Sequence, residues 1–193
     1  MSKIKNSKRS YLSWSQLSCY EYSPDEYYRR YVLGEPGFEN DAMRFGKGIA
    51  EALELGQSED PEVRLLISLL PSCELKEQEI RAKYKDIELL AKPDTHDKDF
   101  GKLREYKTGR NRWTQEKVNK HGQLDFYASV IYLNEKKIPL VHLDWIPTEY
   151  DENGFLKLAG GIHSFERKIT IKDIAKMLSR IEKSWHGIQE LWK

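Results

Sequence analysis

Cysteine is scarce in this chain. Its 193 residues hold two, Cys19 and Cys73, far apart and with no Cys-x-x-Cys or His-Cys spacing around either. That excludes a disulfide scaffold and any four-ligand zinc or iron–sulfur site built on cysteine. Long apolar runs are missing too: none approaches the ~20 residues that a bilayer span needs. Residues 1–10 are basic and polar, without the apolar stretch of a signal peptide. The expectation is a flexible basic arm over residues 1–10 and one domain over residues 11–193 of a cytoplasmic protein, with no membrane partner. Net charge is nearly absent, at +1, so any case for a polyanionic partner has to rest on local charge. The five histidines, His96, His121, His142, His163 and His186, fall in no metal-ligand spacing. What is present, 39% hydrophobic and 33% charged residues, describes a globular chain with a well-charged surface and not a disordered one.

The first part of the chain has helical signals. Ser13 to Gln16 fits a capping box. Ser23-Pro24-Asp25-Glu26 repeats that logic with proline at the first helical position, for a helix running to about Leu33 and stopped by Gly34. A third helix is expected from Asp41 to Leu55, ended by Gly56, and a fourth opens at Asp60-Pro61 and ends at Pro71. The period then changes. Residues 79–84, 87–92 and 102–108 read as strands, with a turn over 95–101. Residues 114–134 return to a helical pattern. Two strand-like runs follow, 141–149 and 156–167, joined by a turn with an Asn153-Gly154 signal. A last helix opens at Thr170 and runs through Ile188. This order predicts an α/β domain with a central mixed β-sheet flanked by helices and preceded by an N-terminal helical segment.

The stretch that carries chemistry is Pro93-Asp94 followed by Glu105-Tyr106-Lys107-Thr108-Gly109. In a strand over 102–108, Glu105 and Lys107 project to the same face. A hairpin from the preceding strand, which Asp94 closes, would bring its carboxylate beside them. Two carboxylates and an ammonium at one end of a sheet suit phosphodiester hydrolysis. Mg²⁺ is a hard ion that takes one or two acidic side chains and keeps several waters. Asp94, Glu105 and the backbone carbonyl of Tyr106 could hold it, lowering the pKa of a bound water. Lys107 could orient or deprotonate that water and screen the phosphate. An acid, a gap and Glu-x-Lys also recur by chance in charged proteins, so the motif needs its neighbours.

Those neighbours carry a resemblance. Residues 12–20 with Ser23 to Tyr28, the helix segment Phe45 to Glu54, the pair Pro93-Asp94, the run Glu105 to Gly109, and Gln123 with Tyr127 follow one another in a family's order. The chain resembles the RecB-like branch of the PD-(D/E)XK nuclease superfamily over most of its length, from about Tyr11 to Tyr132. The resemblance implies a restriction-endonuclease-like core, an Mg²⁺- or Mn²⁺-dependent deoxyribonuclease, catalytic Asp94, Glu105 and Lys107, and a Gln-x-x-x-Tyr pair, Gln123 and Tyr127, that contacts DNA or positions the site. It points to recombination, repair or phage DNA metabolism, and leaves room for a helicase or recombination partner. Two departures matter. Ala50 stands where many relatives carry a metal-binding histidine, so that ligand is missing unless Glu51 or Glu54 supplies an oxygen instead; other nucleases of the superfamily manage without the histidine. Ser23 replaces the cysteine that precedes proline in iron–sulfur relatives, so no cluster is expected.

A nucleic-acid substrate has independent support in residues 102–120. There Lys102, Arg104, Lys107, Arg110, Arg112, Lys117 and Lys120 meet only Glu105 and Glu116, a net +5. That is a local positive field beside the proposed metal site. Arg110 and Arg112 are candidate phosphate contacts, and Trp113 is a candidate stacking platform for an unpaired base. His96, two residues after Asp94, is a weaker candidate for the site. The tyrosines of residues 20–31 with Arg29 and Arg30 form an aromatic and basic helical pair, part core and part channel wall. The reading is an exonuclease acting on DNA ends or single strands. Its rival is a catalytically weakened nuclease fold that holds DNA or docks a partner, which Ala50 motivates. Strand preference, polarity and oligomeric state stay open, and RNA remains an alternative substrate.

Overall fold

The computed structural model describes residues 9–193. Of the arm expected over residues 1–10, only Arg9 and Ser10 therefore fall within the described residues, both exposed. The chain enters through a short strand β1 (Tyr11–Ser13) and helix α1 (Trp14–Tyr22). Ser13 caps α1 as expected, its Oγ accepting from the Gln16 N–H, but Gln16 does not complete the box. Its side-chain amide donates instead to the Tyr11 carbonyl at 3.2 Å and to Ser13 Oγ at 3.3 Å. Helix α2 (Pro24–Tyr27) starts on the Ser23 cap and runs on as a π-helical turn, Tyr28–Val32, ahead of left-handed Gly34. Helices α3 (Asp41–Leu55) and α4 (Pro61–Leu69) follow, the first closed by Gly56 in the left-handed region, where glycine meets no Cβ penalty.

The mixed sheet is present, curled into two ladders. In one, β4 (Ile87–Ala91) lies between β3 (Ile80–Tyr84), antiparallel to it, and β1, parallel to it. In the other, the order is β2 (Leu75–Lys76), β5 (Thr95–His96), β6 (Lys102–Gly109) and β7 (Leu140–Tyr150). Strands β5 and β6 are antiparallel, and β6 and β7 parallel. The run expected over 156–167 is broken into β8 (Leu156–Leu158) and β9 (His163–Lys168), both antiparallel to β7. The break falls at Ala159-Gly160-Gly161, where Gly160 takes a left-handed φ of 102° and ends the ladder. Strands β1, β2 and β5 are too short to impose a period on the sequence, and they hold their places through pairing with longer partners.

The helix expected over 114–134 is two helices, α5 (Gln115–Asn119) and α6 (Gly122–Glu135). The chain turns at Lys120-His121, and Gly122 then abuts the Trp14 indole so closely that a Cβ there would lie 2.5 Å from it. Helix α6 is buried on nearly every side, from Leu124 through Ile131, between the sheets and the terminal helix α7 (Ile171–Leu191). That explains why its pattern is apolar all round and not a stripe. Helix α7 carries the capping box at Thr170 and Asp173 and turns Ile174, Met177, Ile181 and Ile188 inward. A second, smaller apolar cluster lies under α3 and α4, where Ile49, Leu53, Val63, Leu66 and Leu70 meet Ile146 of β7. This cluster anchors α3 across the end of β6.

Candidate active site

The end of β6 brings together five of the predicted residues. Glu105 and Lys107 alternate onto one face, and Lys107 Nζ lies 2.6 Å from Glu105 Oε1. Helix α6 presents Gln123 to the same oxygen at 2.7 Å, and its amide also donates to the Tyr127 hydroxyl at 2.7 Å. Tyr127 passes the chain of hydrogen bonds on to the Lys92 carbonyl at 3.0 Å. The four-residue spacing on α6 thus serves two contacts, with β6 and with the segment that leads to it.

Asp94 arrives by a different route from the expected hairpin. Strand β4, which precedes it, belongs to the other ladder, and the chain bends at Lys92-Pro93 before β5. The β5–β6 pairing begins at Thr95 opposite Arg104, and Asp94, just before it, reaches β6 through its carboxylate, which accepts from the Tyr106 backbone N–H. In an extended strand a residue's N–H and C=O project to the same edge. The Tyr106 carbonyl therefore shares the edge that Asp94 occupies.

Burial dominates the electrostatics. Glu105 is 3% exposed, and its Oε2 is buried with no hydrogen-bond partner. Burial raises the Glu105 carboxyl above its ordinary value, against the pull of Lys107. Burial and the neighbouring Glu105 raise Asp94 well above the usual carboxylate range, with the Tyr106 N–H opposing. Burial pulls Lys107 down, but Glu105 and Asp94 outweigh it and leave the ammonium raised. In this arrangement Lys107 donates to Glu105 Oε1. His121, at the start of α6, is held neutral with its pKa lowered to about 4, first by burial and then by Lys107.

Two buried carboxylates that repel each other, one with an unpartnered oxygen, form a donor set suited to a hard divalent cation. Among the described residues no three His, Cys, Asp or Glu side chains converge as a ready cage. A cation here would take Asp94, Glu105, the Tyr106 carbonyl and water, which is the ligand number Mg²⁺ accepts. Beside Asp94 is a cavity of about 60 Å³ lined by Ala50, Glu54, Glu77, Tyr106 and Thr108 among others. Glu54 borders it, whereas Glu51 is exposed and does not. Glu77 is the residue that sequence reasoning missed. Pairing of β2 with β5 sets it across from Asp94, whose carbonyl accepts from the Glu77 N–H at 3.0 Å. Its side chain is paired with Lys92 at 2.6 Å, and its φ of 50° is unusual for a residue with a Cβ. No local spacing in Lys76-Glu77-Gln78-Glu79 points to it.

Other expectations are redistributed. His96 turns away, buried, with Nδ1 at 2.8 Å from the Asp97 carbonyl and its ring stacked on Phe100. Arg104 alternates to the face opposite Glu105 and is buried against Asp144 at 2.8 Å. With Lys107 also engaged, the +5 segment offers less free charge than its count suggests. Arg112 stays exposed, while Arg110 lies over the Tyr150 ring at 4.5 Å. Trp113 is half-buried against His121. Of the N-terminal aromatics, Tyr27 is core and Tyr22 is exposed.

No family model matches the sequence, and no curated protein does. Solved structures do. A Eubacterium rectale protein that carries a provisional exonuclease name aligns over 95% of this chain and 81% of its own, with a TM-score of 0.56 at 11% identity. The two chains share a fold. Two structures of the alkaline exonuclease LHK-Exo, one from Laribacter hongkongensis and one in complex with dAMP, cover 94% of this chain. They cover 90% and 91% of their own chains, at 15% and 16% identity and a TM-score of 0.47. The first match establishes the α/β architecture with curled mixed sheets flanked by helices, and the other two add nothing to it.

Proposed function

We propose that the chain is an Mg²⁺- or Mn²⁺-dependent deoxyribonuclease of the PD-(D/E)XK superfamily, RecB-like branch, acting as an exonuclease. The observation that carries the proposal is Glu105. One oxygen is committed to Lys107 and Gln123, and the other is buried without a partner in reach of the Asp94 charge. A structural carboxylate would be expected to satisfy both oxygens, because burying one unpaired costs roughly 1–3 kcal/mol or more.

In this reading Asp94, Glu105 and the Tyr106 carbonyl hold the ion, which supplies an activated water and charge stabilisation at the phosphate. Gln123 fixes the rotamer of Glu105, and Tyr127 fixes Gln123. The Lys107 ammonium draws the scissile phosphate in and screens charge developing on it. Glu54 and Glu77, at the cavity beside Asp94, supply outer acceptors for the waters the ion would keep, in place of the imidazole absent at Ala50. Arg110, Arg112 and Trp113 contact the substrate strand. Recombination, repair or phage DNA metabolism is the setting that the branch suggests.

The test uses end-labelled DNA with Mg²⁺, Mn²⁺ or EDTA and the variants Asp94→Asn, Glu105→Gln and Lys107→Ala. Cleavage is expected only with metal, and each variant should lose at least a hundredfold. Equal residual cleavage in wild type and variants would sink the proposal. The rival reading, a weakened fold that binds DNA, is favoured by one observation: among the described residues no third acidic or imidazole side chain joins Asp94 and Glu105 directly. It predicts metal-independent DNA binding with no cleavage under any of these conditions.

A further inference from the structure

Three hollows run on from one another along the end of β6. The cavity beside Asp94 shares Thr108 with a hollow of about 300 Å³ that includes Gly109, Arg110 and Asn111. That hollow shares Trp113 with a cleft of about 580 Å³ bordered by Arg112, Trp145, His163 and Phe165. The chemistry changes along this track. It is carboxylate at Asp94, cationic and amide at Arg110 and Asn111, and aromatic at the far cleft.

The aromatic cleft is a consequence of the sheet. Trp145 on β7 and His163 on β9 are directly opposed in register, so they project to one face. Their rings stack at 5.1 Å with 28° between planes. Trp145 is itself fixed by donating its indole N–H to the Gly109 carbonyl at 2.9 Å, at the very end of the strand that carries Glu105 and Lys107. Phe165 lies two residues along β9 on the same face. Helix α5 bounds the far side, where the Gln115 amide donates to the Glu166 carbonyl at 2.8 Å. His163 is exposed. The cleft falls within the ~300–1,000 Å³ range of sites that take flat organic ligands.

We infer that this cleft receives unpaired bases of a single-stranded nucleic acid, so that the strand reaches the carboxylates already unwound. The inference rests on the nuclease reading for the direction of the track, and it adds the strand state that the catalytic residues leave undecided. A duplex presents phosphates to a protein and keeps its base faces stacked inside. An aromatic cleft next to arginine has no use for such a surface. Unpaired bases offer flat faces to exposed His163 and half-buried Trp113, with buried Trp145 backing the His163 ring from behind, and their phosphates meet Arg110 and Arg112.

The test is binding in EDTA, so that no cleavage intervenes, read by fluorescence anisotropy. The probes are labelled oligo(dT), a blunt duplex of equal length, and an abasic strand that keeps the sugar–phosphate chain. Wild type should bind oligo(dT) more tightly than the abasic strand or the duplex. His163→Ala and Trp113→Ala should weaken oligo(dT) binding by about 5- to 150-fold, the effect of ~1–3 kcal/mol per stacked base. Abasic and duplex binding should stay within about twofold. Trp113 packs partly against the core, so exposed His163 is the decisive variant, and thermal melting verifies that each variant folds. Oligo(dT) should also quench the intrinsic tryptophan fluorescence more than the abasic strand does. Equal affinity for oligo(dT) and the abasic strand, or no loss in His163→Ala, overturns the inference. A parallel metal-dependent cleavage assay of the wild type separates the two readings. Base-dependent binding without cleavage removes the nuclease and leaves the cleft, and cleavage without base dependence does the reverse.

Discussion

At the scale of single residues, burial sets otherwise ordinary charges apart from the rest of the surface. Glu105, Lys107 and Asp94 share so little solvent that each shifts the proton affinity of the others. His121 belongs to the same neighbourhood. It sits between the Trp14 and Trp113 rings, at 6.4 and 5.0 Å, with Lys107 and Gln123 as its nearest polar company. Its pKa of about 4 in the folded chain lies below the ordinary 6.5. Between those values the unfolded chain binds more protons than the folded one. This contribution to stability is therefore complete above pH 6.5 and is lost as pH falls through about 4. His121→Gln should flatten that part of the stability–pH curve relative to wild type, read as the difference between two urea titrations at each pH. Identical slopes in the two proteins would show that the imidazole is not held neutral. Alternation along 102–108 made Glu105 and Lys107 legible as partners. Glu77 was not legible, because its approach to Asp94 depends on pairing between two strands of two residues each.

At the scale of elements, the site depends on how closely α3 crosses β6. Gly46 is the contact: a Cβ there would lie 2.7 Å from Thr108 Oγ1. Within a helix, Gly→Ala normally gains up to ~1 kcal/mol. Here the overlap should reverse the sign, and Gly46→Ala is expected to destabilise the protein by about 1–3 kcal/mol and to reduce cleavage by lifting α3 from the cavity. Thr108→Ala removes the opposing atom, so the double variant should recover the stability lost in Gly46→Ala. A double-mutant cycle by denaturant unfolding measures this coupling, and additivity would rule it out. The α3 boundaries, including the Gly56 stop, were legible from a clean amphipathic stripe. The division of residues 114–134 into α5 and α6 was not. Helix α5 holds a single apolar residue, Val118, and α6 is apolar all round, so no change of stripe marks the turn, and Gly122, which opens α6, packs against Trp14, roughly a hundred residues earlier in the chain.

At the scale of the whole molecule, two ladders, a buried central helix and a second apolar cluster converge on one strand end. Among the described residues no helix is long and apolar enough to cross a membrane. A cation held by Asp94 and Glu105 would bind the folded chain alone, because the two carboxylates meet only through tertiary pairing. At a hundred times its dissociation constant it would add about 2.7 kcal/mol to stability, or roughly 5–10 °C for a chain of this size. Mn²⁺ should therefore raise the melting temperature of wild type and not of Asp94→Asn, as followed by thermal unfolding with and without EDTA. An equal rise in both would place the ion elsewhere.

By itself the sequence determined the class of fold, the span of α3, the start of α7 and the alternation that pairs Glu105 with Lys107. Those features follow from local periodicity and capping, which act within a few residues. Tertiary structure alone decided that Asp94 arrives through β5, that Arg104 packs against Asp144, and that Glu77 and Glu54 border the same cavity as Ala50. It also decided that Trp145 and His163 form one aromatic face. These are matters of pairing between distant strands, where a shift of one residue exchanges the two faces, and no short window of sequence contains that information.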